Sequence, residues 1–289
     1  MLFRSAALSS VGTAPLSAWT DTTVTRDLVE KKPAPAAVVS RRQLADIGVT
    51  IVRFANGVEA WLKPTDFKND QLVFTMSAPG GASLAGADNF ANASLATSFV
   101  ELSGMGGLNV LELEKLLTGK LASASPFIAL SSHGVSGSAP PAQLETALQL
   151  LYLSFTAPGH DAEAFALLKR RLESAVANRG RSPGQVFGER LQAVNTSDHY
   201  SARPLTSEVI QALDPAKMFE FYHQRFANAA DFTLVMVGSF SLDTAVPLVA
   251  QYVGSLPSTG TATSQVKDMA IRFPTGTERI RVEKGREPA

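Results

Sequence analysis

The chain reads as an α+β protein, an antiparallel sheet backed by helices. Three observations carry this. Asn56-Gly57 sits between alternating apolar residues, a strong short-range hairpin signal. Short apolar runs bounded by Gly and Pro crowd the first half, as strands do. The second half carries successive apolar stripes at helical spacing. Strands and helices do not alternate regularly, which a doubly wound parallel sheet would require.

Taken in order, residues 21–50 read as linker, because Lys31-Lys32-Pro33-Ala34-Pro35 is an extended, semi-rigid stretch. Residues 48–53 lead into the Asn56-Gly57 turn, with Val52 and Phe54 before it and Val58, Ala60 and Leu62 after it. A break over 63–70 precedes a strand at 72–76, which Pro79-Gly80-Gly81 ends. Residues 87–102 read as a buried small-residue helix, with Phe90, Ala91, Leu95, Phe99 and Leu102 at helical spacing. Gly104, Gly106 and Gly107 stop it. A short amphipathic helix follows at 110–117, then strands at 120–125 and 127–132, with 135–138 continuing the ladder.

Pro140 and Pro141 open a helix whose stripe is Leu144, Leu148, Leu151 and Phe155. Phe165, Leu168, Leu172 and Val176 make the next stripe, with Glu163, Lys169, Arg170 and Glu173 facing outward. Pro183 opens a helix carrying Val186, Phe187, Leu191 and Val194. Asp214-Pro215 is an N-cap followed by a first-turn proline, after which Met218, Phe219, Tyr222 and Phe226 pack inward. Residues 232–237 are a strand ended by Gly238, and Leu242, Val246, Val249 and Val253 mark the closing helix. Residues 255–268 are linker by composition, and 279–283 is strand-like. The helices near 143–155, 161–177 and 215–227 are expected on one side of the sheet. Segments 1–45 and 259–289 are expected outside the main core.

Lys plus Arg and Asp plus Glu both total 26 in 289 residues, so the net charge is zero. Such a balance gives no reason to expect nucleic acid or an anionic membrane as partner. The absence of cysteine rules out disulfides, Cys-based zinc sites, iron–sulfur clusters and a thiol nucleophile. No stretch reaches the ~20 apolar residues of a membrane span. Arg4, Ala6-Ala7-Leu8 and Ala18 faintly resemble a secretory signal, but Ser9, Ser10, Gly12 and Thr13 break the apolar run. A tail from a preceding domain is the preferred reading of the first twenty residues.

The chemistry candidates are sparse. The four histidines, His133, His160, His199 and His223, form neither H-E-x-x-H nor H-x-x-E-H. His160, His199 and His223 read as surface, capping or structural residues. His133 closes a strand before Gly134 and reads as structural, with ligand contact the alternative. The glycines at 80–81 and 104–107 lack the lysine of a phosphate loop and read as turns. No G-x-S-x-G elbow occurs. Arg203 either pairs with a carboxylate or is solvated.

Several strings together carry a resemblance: FANGVEAWLKPTDFKND at 54–70, SAPGGAS at 77–83, SGMGG at 103–107 and LLTGK at 116–120. LSFTAP at 153–158, FYHQRFAN at 221–228, DFTLVMVG at 231–238 and YVGSLP at 252–257 complete it. On these, the chain resembles one half of a pitrilysin/insulinase-family (M16) zinc peptidase of the PqqL-like, four-domain type. The resemblance implies repeated α+β domains closing around a peptide, with H-x-x-E-H and a downstream Glu in the first. Here the helix that would carry that motif reads NFANASLATSFVEL at 89–102, with no histidine and Glu101 as its one acid. The chain therefore resembles the non-catalytic third domain. No catalytic, cofactor-binding or metal-ligating residue is assigned in it, and Zn2+ is implied for the catalytic domain of the parent enzyme or partner.

The expected organisation is 1–45 linker and remnant of a preceding domain, 46–257 the M16-like domain, and 258–289 linker and first strand of a truncated following domain. The expected function is a substrate-cavity and interdomain portion of a zinc metalloendopeptidase. One alternative is a peptide-binding or assembly subunit pairing with a separate catalytic M16 subunit; another is an unrelated hydrolase with a dispersed site. The implied partners are a peptide or unfolded protein and other M16 domains, without nucleic acid. The family resemblance implies a periplasmic or secreted location.

Overall fold

A computed structural model describes residues 25–180 and 182–283. Among these, seven strands form one sheet in the order β1-β2-β3-β7-β4-β6-β5. The strands are β1 (Val38–Leu44), β2 (Val49–Phe54), β3 (Glu59–Pro64), β4 (Leu72–Pro79), β5 (Ser123–Ile128), β6 (Ser132–Ala139) and β7 (Thr233–Gly238). The helices are α1 (Phe90–Ser103), α2 (Val110–Leu116), α3 (Leu144–Thr156), α4 (Ala162–Asn178), α5 (Pro183–Asn195), α6 (Ser207–Gln211), α7 (Pro215–Phe226) and α8 (Leu242–Tyr252). The sheet is mixed α+β architecture as expected, antiparallel except that β7 runs parallel to β3.

The β2–β3 hairpin turns where Asn56-Gly57 predicts. Gly57 adopts φ +91°, a conformation favouring glycine. Asn56 does two jobs: its Oδ1 accepts from Val58 N at 3.2 Å, and its Nδ2 donates to the carbonyl of Val253 at 2.9 Å. The local turn signal is thereby also a tie to the end of α8.

Side chains alternate across a strand, and the alternation identifies the covered face. In β4, Leu72, Phe74, Met76 and Ala78 are buried, whereas Val73 is 47% exposed. The buried rows pack with Phe99 of α1, Leu148 and Leu151 of α3, Leu168 of α4, Met218 and Tyr222 of α7 and Val249 of α8. This places the expected helices on one face. The other face presents Val73 and Val235 to solvent, with the Arg42 guanidinium 6.0 Å from the Trp61 ring.

Helix ends follow their caps. The Asp214 side chain accepts from the amides of Ala216 and Lys217, and Pro215 occupies the first turn, where its missing N–H costs nothing. Asn109 and Glu112 form a reciprocal capping box on α2.

Several expectations are corrected. Residues 21–50 are not all linker: 38–44 form edge strand β1, paired with β2, and 49–54 form β2 itself. The side chains of β1 are almost all exposed, so no apolar alternation announced it. Leu28 and Val29 are buried in a satellite cluster with Met105, Leu150 and Leu153, outside the main core but not free of the domain. The strands expected at 120–125, 127–132 and 135–138 are two, β5 and β6, turning at 129–131 rather than at Pro126. Pro126 sits on an edge strand, where a missing donor is tolerated. The stripe on α5 is not buried; Phe187 is 56% and Leu191 48% exposed. Residues 279–283 form no strand within the described chain. The 255–268 stretch has no regular structure but is fastened: Asn228 Oδ1 accepts from the Thr259 amide at 2.9 Å, and Asn228 Nδ2 donates to the Thr261 carbonyl at 3.0 Å. The first twenty residues lie outside the described residues.

Candidate functional site

Helix α1 occupies the position where the resemblance expects metal chemistry. On its inward face Ala96, Phe99 and Val100 fill the main core against the sheet, and Ala93 packs with Ala85 and Phe221 in a smaller cluster. Its buried polar residue near the start, Asn92, accepts at Oδ1 from the Asp214 amide at 2.9 Å and donates to Asn89 Oδ1 at 3.0 Å. Asn92 is thus spent joining α1 to the start of α7. Glu101 lies at the far end of the helix. Desolvation against the protein pushes its carboxyl up from the usual range, and a hydrogen bond from Ser125 opposes that rise.

The histidines do not converge. His133 is buried, with Nδ1 accepting from the Gly81 amide at 3.2 Å and Nε2 2.9 Å from the Arg225 carbonyl. An acceptor at Nδ1 leaves the proton on Nε2, so the ring is neutral and donates to that carbonyl. Its edges meet Phe226 and Phe232 at 5.8 and 5.1 Å between centroids. Burial lowers its pKa to about 4; the Arg225 backbone bond and the Asp231 charge only partly oppose this. His133 therefore fastens β6, the 80–81 turn and the end of α7. His160 packs on Phe219 at 4.5 Å. His199 Nδ1 accepts from the Ser201 amide at 3.2 Å and its ring lies 4.2 Å from Tyr200. His223 is exposed on the last turn of α7. Among the described residues, no three His, Cys, Asp or Glu side chains come close enough to hold a metal. A zinc ion does not fit α1: imidazole ligands are missing and the one carboxylate is bonded elsewhere.

The glycine clusters are turns. A Cβ on Gly104 would stand 2.1 Å from the Leu108 carbonyl oxygen, and one on Gly81 2.2 Å from that of Ala129. Both glycines have positive φ. Close backbone approach, not phosphate binding, accounts for them.

One feature with room for a ligand, and with a largely apolar lining, is a cleft of about 590 Å³ at the head of α1. Three pieces of chain far apart in sequence build it. Asp88, Phe90 and Leu95 come from the turn before α1 and its first half, Ile128 and Leu130 from the end of β5 and the β5–β6 turn, and Tyr200, Leu205 and Val209 from the stretch between α5 and α7. That stretch is re-aimed by two successive residues in the left-handed region, Ser197 and Asp198, at φ 50° and 54°. Such a pair costs about 1–2 kcal/mol per residue and is held by Arg203, whose Nε donates to the Asp198 carbonyl and whose guanidinium pairs with the Asp198 carboxylate, both at 3.1 Å. Arg203 is therefore the carboxylate-paired residue of the two readings. Phe90 and Tyr200 meet edge-to-face at 5.4 Å, forming an aromatic wall. None of the lining residues except Arg203 was singled out from sequence as a chemical group. Helical spacing marks Phe90 and Leu95 as core positions, and nothing in the local sequence marks Tyr200.

The sequence profile described as "Peptidase M16 inactive domain" matches residues 212–289. A curated relative from Arabidopsis thaliana, "Zinc protease PQQL-like", is 28% identical over 243 residues, covering 84% of this chain and 23% of that protein. The crystal structure of the periplasmic protease PqqL from Escherichia coli superposes with a TM-score of 0.77 at 20% identity, over 98% of this chain and 31% of that one. The M16 inactive domain from Pseudomonas fluorescens gives 0.60 at 18% identity, over 76% of this chain and 53% of that one. The likeness to the solved structures is one of fold. The chain spans less than a third of the Arabidopsis protein and of PqqL.

Proposed function

We propose that this chain, which matches the M16 (pitrilysin) peptidase family in its PqqL-like form and resembles an inactive, non-catalytic domain of it, forms substrate-cavity wall and interdomain surface in a zinc metalloendopeptidase. The observation that carries the reading is α1. It spans the segment where the resemblance expects the metal motif, yet its buried positions hold apolar packing residues and short polar ones, with Asn92 and Ser103 bonded to the Asp214 and Asp161 amides. Zinc peptidases need a metal-bound water and a carboxylate to take its proton; in this proposal another domain or subunit supplies both. What this chain supplies is the cleft at the head of α1 and the open sheet face. The proposed unit takes residues 46–257 together with edge strand β1, whose pairing with β2 supports extending it. The chain's proposed location is periplasmic or secreted, as for PqqL. Among the described residues no helix is long and apolar enough to cross a membrane.

The test is reconstitution. This chain is mixed with a metal-bearing M16 domain, and cleavage of a quenched fluorescent peptide is followed. The mixture is expected to cleave faster than the metal-bearing domain alone, with the chain by itself inactive. Chelator-sensitive cleavage by this chain alone, or no association and no rate change on mixing, would count against the proposal.

A further inference from the structure

We infer that the cleft at the head of α1 is a peptide subsite that takes a large apolar side chain followed by a basic residue. This deepens the proposed function and rests on that reading. The argument begins with volume. About 590 Å³ lies within the ~300–1,000 Å³ range in which small ligands are held, room for a few residues of peptide. The lining is apolar and only partly covered: Leu130 is 42% and Val209 36% exposed, and Phe90, Leu95, Tyr200 and Leu205 are half-buried. A wall of rings and branched side chains standing half in water gains by covering itself with another apolar group.

Charge selects the neighbour. Two ionised groups stand at the rim, Asp88 and Arg203. Arg203 is committed to Asp198. Asp88 makes no ion pair among the described residues and is exposed. The uncommitted charge is therefore negative, which favours a Lys or Arg next to the apolar residue and disfavours an acid there. Two carbonyls of the turn bordering the cleft are already engaged. The Ala129 and Leu130 carbonyls accept from the amides of Ala82 and Ser83 at 2.8 and 2.7 Å. Recognition at this turn is thus by side-chain pockets rather than by adding a strand.

The chain has no cysteine, so one thiol can report on the cleft alone. Val209→Cys places it in the lining, and Val73→Cys places a control on the open sheet face. Both positions are partly exposed, and circular dichroism checks that each variant folds. The probes are capped hexapeptides: Gly-Gly-Phe-Lys-Gly-Gly, the same with Ala for Phe, and the same with Glu for Lys. The Phe-Lys peptide is expected to slow maleimide modification at 209 at least fivefold at saturation and to leave 73 unchanged. Ala for Phe is expected to weaken half-saturation about tenfold or more, the fold-change for losing one buried aromatic side chain. Glu for Lys is expected to weaken it severalfold at low salt, and Asp88→Asn to erase that difference. Equal protection by the Ala peptide, no protection at 209 by any peptide, or equal slowing at 73 would overturn the subsite. Shielding of 209 by a metal-bearing M16 domain but by no peptide would mean the cleft holds a neighbouring domain; the subsite would fall while the proposed function stood.

Discussion

His133 makes the fold sensitive to mild acid, and the effect can be worked out in advance. Its pKa is about 4 in the folded chain, against about 6.5 for a free imidazole. Between these values the unfolded chain binds a proton that the folded chain refuses. Stability therefore rises with pH across this window, and it falls as pH drops below about 6.5, with the loss complete near 4. At pH 5 the unfolded ring is almost fully protonated while the folded one is mostly neutral. The difference amounts to roughly 2 kcal/mol lost between pH 7 and pH 5. The physical cause is specific: protonation would put a donor at Nδ1 against the Gly81 amide and a charge among Phe226 and Phe232, near Arg225. Urea unfolding at steps from pH 7 to 5 measures this directly. With an m-value of ~2 kcal/mol/M the midpoint should fall by about 1 M. His133→Gln keeps a polar group of similar reach without titration, and its midpoint should move much less over the same range. Stopping at pH 5 keeps most carboxylates out of the measurement. If wild type and His133→Gln lose stability in parallel, or if the His133 ring titrates near 6.5 by NMR, the neutral-ring argument is wrong.

Other perturbations follow from single contacts. Asp214→Ala should cost about 1 kcal/mol in denaturant unfolding, since it removes the cap of α7 without opening a cavity. Asn228→Leu should leave the core folded but loosen the start of the arm that follows α8, read as faster amide exchange at Thr259 and earlier proteolysis there. Gly104→Ala should be far worse than an ordinary loop substitution, because the new carbon meets the Leu108 oxygen and φ is +81°. Soluble expression or the thermal midpoint would register it. Lys32→Ala should leave the urea midpoint nearly unchanged despite a 2.6 Å bond to Glu145, because both partners are substantially exposed and water screens the pair.

What the sequence determined by itself was local. The Asn56-Gly57 turn, the Asp214-Pro215 start, the stripe Leu144–Leu148–Leu151–Phe155 and the missing imidazoles of α1 are all read within a few residues, because turns, caps and periodicity are short-range physics. Periodicity states that a face is apolar, not that anything covers it; α5 carries the same kind of stripe as α3 and leaves it largely in solvent. Tertiary structure decided what depends on partners distant in the chain. Edge strand β1 has exposed side chains and exists because β2 offers it a ladder. The parallel β3–β7 pair joins residues about 170 apart, which no local pattern encodes. The neutrality of His133 is set by a glycine amide 52 residues before it and a carbonyl 92 residues after it. The cleft likewise needs α1, the β5–β6 turn and the 200–213 stretch together, so its residues looked like core or loop until the fold brought them to one wall.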